Sequence, residues 1–174
     1  MSAEGRTVVL ELFTSEGCSS CPRADVLLGD LLQRDWGGGE VYGLSFHVDY
    51  LDRLGWKDRF SDKAHTQRQY RYAESLPDSR VYTPQMVVDG RVGFVGSDRA
   101  KAMETIGAAV SEADAVSVSL NVDDVSDSVV RLMYEVDSPR DGLDLNVVLA
   151  QRRVSTDVKH GENGGRVLSH TNVV

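Results

Sequence analysis

Residues 7–32 read TVVLELFTSEGCSSCPRADVLLGDLL. From Thr7 to Thr14 the run is almost wholly apolar or β-favouring, which predicts a buried strand. Ser15, Glu16 and Gly17 make a short polar turn. Ala24, Leu27, Leu28 and Leu31 then recur at helical spacing, predicting a helix from Cys18 that stops before Gly37, Gly38 and Gly39. A second strand follows from Val41 to His47. Strand, helix and strand with such short connections predict a parallel pair bridged by a crossover helix.

Cys18 and Cys21 fall where that strand hands over to that helix, and they are the chain's two cysteines. A bridge across so short a loop staples little chain, so the pair is no folding scaffold. At a helix start the unpaired N–H groups and the dipole favour an anion, which lowers the pKa of a thiol placed there. Cys18, nearer the helix end, reads as the nucleophile. Cys21, one turn on, reads as the resolving thiol that releases a mixed disulfide. Pro22 cannot donate to the residue 18 carbonyl, which keeps this first turn distinctive. A zinc site wants four ligands, and no second Cys-x-x-Cys exists.

Outward from this centre, residues 49–80 are polar and charged, with a helix predicted over 57–75 and the segment read as an insertion. Arg68 and Arg71 on it read as a solvated face. Gln85–Val88 and Arg91–Val95 flank Asp89-Gly90, a hairpin turn signal. Ser97 is placed to cap a helix carrying Met103, Ile106 and Val110. After residue 114 the period changes to two, with Val116, Val118 and Leu120, then Val130, Leu132 and Tyr134, then Leu143, Leu145 and Val147 alternating with polar residues. That predicts an antiparallel β module over 115–174, following a first domain over 1–114.

The 174 residues carry 41% hydrophobic and 26% charged side chains, enough to build a soluble globular core. The net charge of -8 argues against nucleic-acid or anionic-membrane partners. No apolar run approaches the roughly 20 residues that span a bilayer. The N-terminus lacks a signal peptide, so the chain as written reads as cytoplasmic; a removed signal would make it periplasmic or secreted.

Two features together reach a fold family. The strand–Cys-x-x-Cys–helix unit and the run Tyr82-Thr83-Pro84-Gln85 entering a hairpin resemble the thioredoxin fold. That resemblance implies a mixed sheet flanked by helices, with Pro84 cis and beside Cys18, and Thr83 preceding it at the site. The runs from Glu11 to Pro22, His47 to Tyr50, Leu54 to Asp58 and Val81 to Met86, with the tail from Asp157 to Val174, resemble more narrowly the bacterial family DUF1223. Arg23 and Arg59 stand where that family's pattern expects proline, and Leu51 where it expects tryptophan. The resemblance also implies a β module that runs on past Val174.

Other side chains are candidates by position. His47 ends the second strand, and the carboxyl ends of parallel strands face the ligand crevice, so His47, Asp49 and Tyr50 belong near Cys18. Glu11 and Glu16 flank the cysteine motif, and a buried carboxylate there would take up a proton during exchange. Trp56 reads as a lip for substrate or as packing. Glu16, His47, Tyr50 and Trp56 thus form the expected substrate-facing set. Lys159, Glu162, Asn163, Arg166 and His170 make a polar cluster that either binds a partner or caps the sheet. Three functions compete. The first is thiol–disulfide exchange on a protein or small-molecule disulfide or thiol, with no cofactor. The second is copper or zinc carriage by Cys18, Cys21 and His47. The third is a non-catalytic binding domain.

Overall fold

The computed structural model describes residues 6–112, 116–138 and 141–174. In chain order the elements are β1 (Thr7–Thr14), α1 (Cys21–Leu32), β2 (Glu40–His47), α2 (Lys63–Ser75), β3 (Gln85–Val88), β4 (Val92–Val95), α3 (Arg99–Val110), β5 (Ser117–Val125), β6 (Val130–Asp137), β7 (Gln151–Val158) and β8 (Arg166–Val173). Six strands form one mixed sheet in the order β4-β3-β1-β2-β8-β7, and β5 pairs with β6 in a separate antiparallel sheet. β1 and β2 run parallel, from Thr7 opposite Glu40 to Thr14 opposite His47. β3 lies antiparallel to β1, with Gln85 opposite Phe13.

β1 is covered on both faces, as its almost wholly apolar run requires. Val8, Leu10 and Leu12 pack with Leu28 and Leu31 of α1 and with Ala102 and Ile106 of α3. Phe13, at the opposite parity, packs with Phe46, Val87 and Leu76 and against Tyr72 of α2. Gly43 on β2 lies close under α1. A Cβ there would lie 2.7 Å from Leu28 Cδ1 and 3.0 Å from Leu32 Cδ2. Gly43→Val should therefore overpack this layer and cost about 1–3 kcal/mol, read as a lowered urea midpoint. An unchanged midpoint would contradict the tight fit.

Several expectations change. The helix over 57–75 begins only at Lys63, where the Asp62 side chain accepts from Ala64 N at 2.7 Å. α2 is less an excursion than the cover of one sheet face, and its thin apolar stripe is explained by polar burial at Thr66 and Gln69. Arg68 is half-buried rather than part of a free solvated face, and forks onto the buried Glu11 at 2.5 and 2.7 Å. Asp98, not Ser97, caps α3 by accepting from Lys101 N. Residues 143–147 form no strand.

The C-terminal segment is not one module. The chain separates into one compact unit of Met1–Ser111 with Val148–Val174 and another of Glu112–Val147; the expected boundary at 114/115 lies outside the described residues. β8 joins β2 in parallel at Ser45 opposite Val173, and β7 pairs with β8. Val154 and Val158 on β7 and Leu168 and His170 on β8 are buried, so this hairpin has an inward face that the free edge of β2 can receive. β5 carries no buried residue and, among the described residues, pairs with β6. Among the described residues no helix is long and apolar enough to cross a membrane.

Candidate active site

At the carboxyl end of β1 the chain turns, with Cys18 N donating to Ser15 O at 3.1 Å. Cys18 and Cys21 are joined by a disulfide, their Cα atoms 5.4 Å apart. α1 begins at Cys21 with Ser20 as N-cap, so the helix starts three residues later than the spacing suggests and Cys18 lies just ahead of it. The Ser20 hydroxyl makes no cap; it lies 3.3 Å from Cys18 Sγ. Cys18 is 5% exposed and Cys21 fully buried, while Ser19 and Ser20 are open to solvent.

Behind the pair lies a buried cluster of ionisable groups. Asp25, one helical turn beyond Cys21 on the inward face of α1, accepts from Thr14 Oγ1 at 3.0 Å. His170 of β8 stands between two carboxylates, with Nδ1 3.5 Å from Asp25 Oδ2 and Nε2 3.6 Å from Glu16 Oε1. These are ion-pair separations rather than hydrogen bonds, and both ring nitrogens lack closer partners. Glu16 also accepts from Trp56 Nε1 at 2.7 Å. His47 meets His170 edge to face, ring centroids 4.6 Å apart, and its Nδ1 lies 2.6 Å from Asp58 Oδ2. The same Asp58 oxygen accepts from Glu16 N at 2.8 Å, tying the cysteine loop to the end of β2.

The charges follow from this geometry. Burial opposes a charge on His170, but Asp25 and Glu16 outweigh it and its pKa is pushed up to about 9. Burial pushes Glu16 up, yet His170, Thr156 and Trp56 hold it below the usual carboxylate range. Asp58 likewise stays low, burial being overcome by His47 and two backbone donors. At neutral pH an imidazolium is thus locked among carboxylates behind the disulfide.

On the other side stands the hairpin. The Thr83–Pro84 peptide is cis, and Pro84 is buried at the head of β3. A Cβ on Gly96 would lie 3.2 Å from Pro84 Cβ and 3.3 Å from Ala24 Cβ, which places Pro84 by the first turn of α1. Tyr50 Oη donates to Gln69 Oε1 at 3.1 Å, and Gln69 Nε2 donates to Tyr82 O and Gln85 Oε1. Burial pushes the Tyr50 phenol up to about 12, so it stays protonated beneath Thr83.

A family profile described as "Protein of unknown function (DUF1223)" matches residues 9–174. The chain belongs to the DUF1223 family. Among solved structures, this DUF1223 chain is similar to protein AGR_C_4864 from Agrobacterium tumefaciens, at 32% identity and a TM-score of 0.70, over 99% of this chain and 70% of that one. It is also similar to HBP35 of Porphyromonas gingivalis, at 15% identity and a TM-score of 0.56, over 100% of this chain and 57% of that one; this is a likeness of fold alone. No curated protein matches the chain.

In this DUF1223 chain the candidates divide. Glu16, His47 and Trp56 gather behind Cys18 and Cys21, whereas Tyr50, Thr83 and Pro84 group on the hairpin side. Glu16 and His47 are fully buried, so neither offers a face to a substrate here. Trp56, half-buried, has its indole nitrogen engaged by Glu16. Glu11 lies on the α2 face with Arg68 and Tyr72 and takes no part. Among the described residues no three His, Cys, Asp or Glu side chains are arranged to hold a metal ion. His47, named as a third ligand in the metal alternative, is fully buried with its Nδ1 on Asp58 and its ring against His170. Sequence reasoning missed Asp25 and Asp58. Asp25 left a signal: an acid four residues after Cys21, amid Ala24, Leu27 and Leu28 on the buried stripe. Asp58 left none.

Proposed function

We propose that this chain is a thiol–disulfide oxidoreductase of thioredoxin-like architecture, acting through Cys18 and Cys21. The observation that carries this is a disulfide at the start of α1, its outer cysteine 5% exposed beside the solvent-open Ser19 and Ser20, with a buried carboxylate–imidazolium cluster behind it. An incoming thiolate attacks Cys18 Sγ, the Cys18–Cys21 bond breaks, and Cys21 leaves as a thiolate. A second substrate thiol then attacks the mixed disulfide. The substrate leaves oxidised and the pair holds two electrons. Cys21, buried, needs a proton as it leaves. The His170 imidazolium, reaching it through Asp25 on the same helix face, is placed to supply one, and the second substrate thiol returns it. In this reading Thr83 and Pro84 line the approach on one side and Trp56 on the other.

Titration in glutathione redox buffers, with thiols counted by alkylation and mass, tests the reading. The expected result is a reversible two-electron transition, catalysed reduction of insulin disulfides, and loss of that catalysis in Cys18→Ser. Catalysis that survives in Cys18→Ser, or a pair that does not equilibrate with glutathione, would end it.

A further inference from the structure

The β7–β8 connection lies directly on the cysteine loop. Asn163, fully buried, donates through Nδ2 to the carbonyls of Glu16 and Cys18, each at 2.9 Å. Glu162 beside it accepts from Ser19 N at 3.0 Å, across 143 residues of chain. The Cys18 carbonyl and the Ser19 N–H are the two ends of one peptide group. Residues 162 and 163 therefore grip, from both ends, the peptide bond that follows the outer cysteine.

The grip is built into the loop. Arg166 Nη1 donates to Asn163 Oδ1 at 3.1 Å, so the Asn163 amide is engaged at both of its polar atoms. Gly161 holds a φ of +74° with its Cα against Trp56, where a Cβ would come within 3.0 Å of Trp56 Cβ. Asn163 is buried with both of its polar atoms engaged, whereas Glu162 is exposed and brings a charge along with its one hydrogen bond. That charge sits on an N–H just ahead of the α1 N-cap, where the helix presents its positive end. Reduction breaks the sulfur–sulfur bond with two electrons from a substrate dithiol. One proton goes to Cys21 and one to solvent, leaving negative charge on Cys18 at this same end.

We propose that Glu162 is a positioning residue whose carboxylate competes with the Cys18 thiolate for the positive end of α1, and so sets how fast the reduced pair attacks and how oxidising the disulfide is. The proposal rests on the thiol–disulfide reading and assigns its tuning to the tip of a distant hairpin. Ser19 donors hold the Glu162 carboxyl below the usual range, so it is an anion throughout the neutral region. Other ionisable groups around Cys18 are the buried Glu16, with Asp58, His170 and Asp25 about it, Arg166 on the far side of the Asn163 amide, and His160, across the Trp56 ring at 6.5 Å; all are the same in wild type and in both variants at 162.

The test compares reduced wild type, Glu162→Gln and Glu162→Ala. Cys18 alkylation by iodoacetamide is followed against pH by peptide mass spectrometry, at low and high salt. Glutamine keeps an acceptor for Ser19 N–H and removes only the charge. Both variants should alkylate roughly threefold faster on the acid side of the wild-type titration midpoint, less so at high salt, and both should be more oxidising against glutathione. If glutamine matches wild type and only alanine differs, the contact is purely structural and the proposal is overturned. It is equally overturned if neither variant differs. Because alkylation needs no substrate turnover, unmoved variants in a chain that still exchanges with glutathione reject this inference alone. A moved alkylation profile in a chain that does not catalyse exchange rejects the oxidoreductase reading instead.

Discussion

Asp58→Ala should destabilise the fold by roughly 3–5 kcal/mol, the cost of stripping one member from a fully buried, charged hydrogen-bond set. Asp58 is 1% exposed and accepts from His47 Nδ1, Glu16 N and Phe60 N, three donors from three stretches of chain. Alanine fills none of these roles. It leaves the His47 ring, whose Nε2 already has no partner, without its one close polar contact, and it frees the turn that carries Cys18. Urea denaturation of the oxidised protein measures the loss. Asp58→Asn, which keeps the shape and one acceptor oxygen, should fall between alanine and wild type. Asp78→Ala, at an exposed ion pair with Arg80, should leave the midpoint where it is. If Asp58→Ala shifts the midpoint no more than Asp78→Ala does, the link between β2 and the cysteine loop contributes nothing.

The central βαβ unit was legible because its signals are local. An apolar run from Thr7 to Thr14, a glycine-bounded helical stripe and an Asp89-Gly90 turn each fix a backbone form within a few residues. The cysteine pair could be placed for the same reason. What stayed hidden depends on which distant strand fills which edge. His170 reads in sequence as one of a polar cluster with Lys159, Glu162, Asn163 and Arg166, and nothing local says that it lies on a strand beside β2 rather than beside β5 and β6. With that docking unseen, His170 had no carboxylates to face and Asn163 no carbonyls to hold. Asp25 and Asp58 were hidden differently. Acids are mostly solvated, so an isolated Asp carries no sign of burial until its partners arrive from elsewhere. Glu11 shows the converse: parity on β1 turns it toward α2, and the helix that neutralises it supplied an arginine that reads, in sequence, as a surface charge.

The His170 cluster makes stability depend on pH in a direction its charges dictate. A histidine pKa raised to about 9 in the fold, from an ordinary value near 6.5, means the folded state holds the proton more tightly than the unfolded chain does. Its stabilisation is complete below pH ~6.5 and is lost as pH rises through about 9. The full loss is about 3 kcal/mol, taking the rise of roughly two and a half units at 1.36 kcal/mol each. Glu16 and Asp58, held low, act on the other limb: their contribution is present above the ordinary carboxylate range and disappears as pH falls through their folded values. Tyr50 and Tyr72, both raised from 10.0, weaken the fold only above pH ~10, where the unfolded phenols ionise, so they leave the window from 6.5 to 9.5 clear. The disulfide keeps both cysteines out of the titration. Urea unfolding of the oxidised protein at pH 6.5, 8 and 9.5 should therefore show a steady decline. His170→Gln should start less stable at pH 6.5, with Glu16 and Asp25 left facing each other across a neutral amide, and should lose most of the slope. A slope as steep in His170→Gln as in wild type would place the titrating proton elsewhere, and the imidazolium behind the disulfide would lose its part in proton supply.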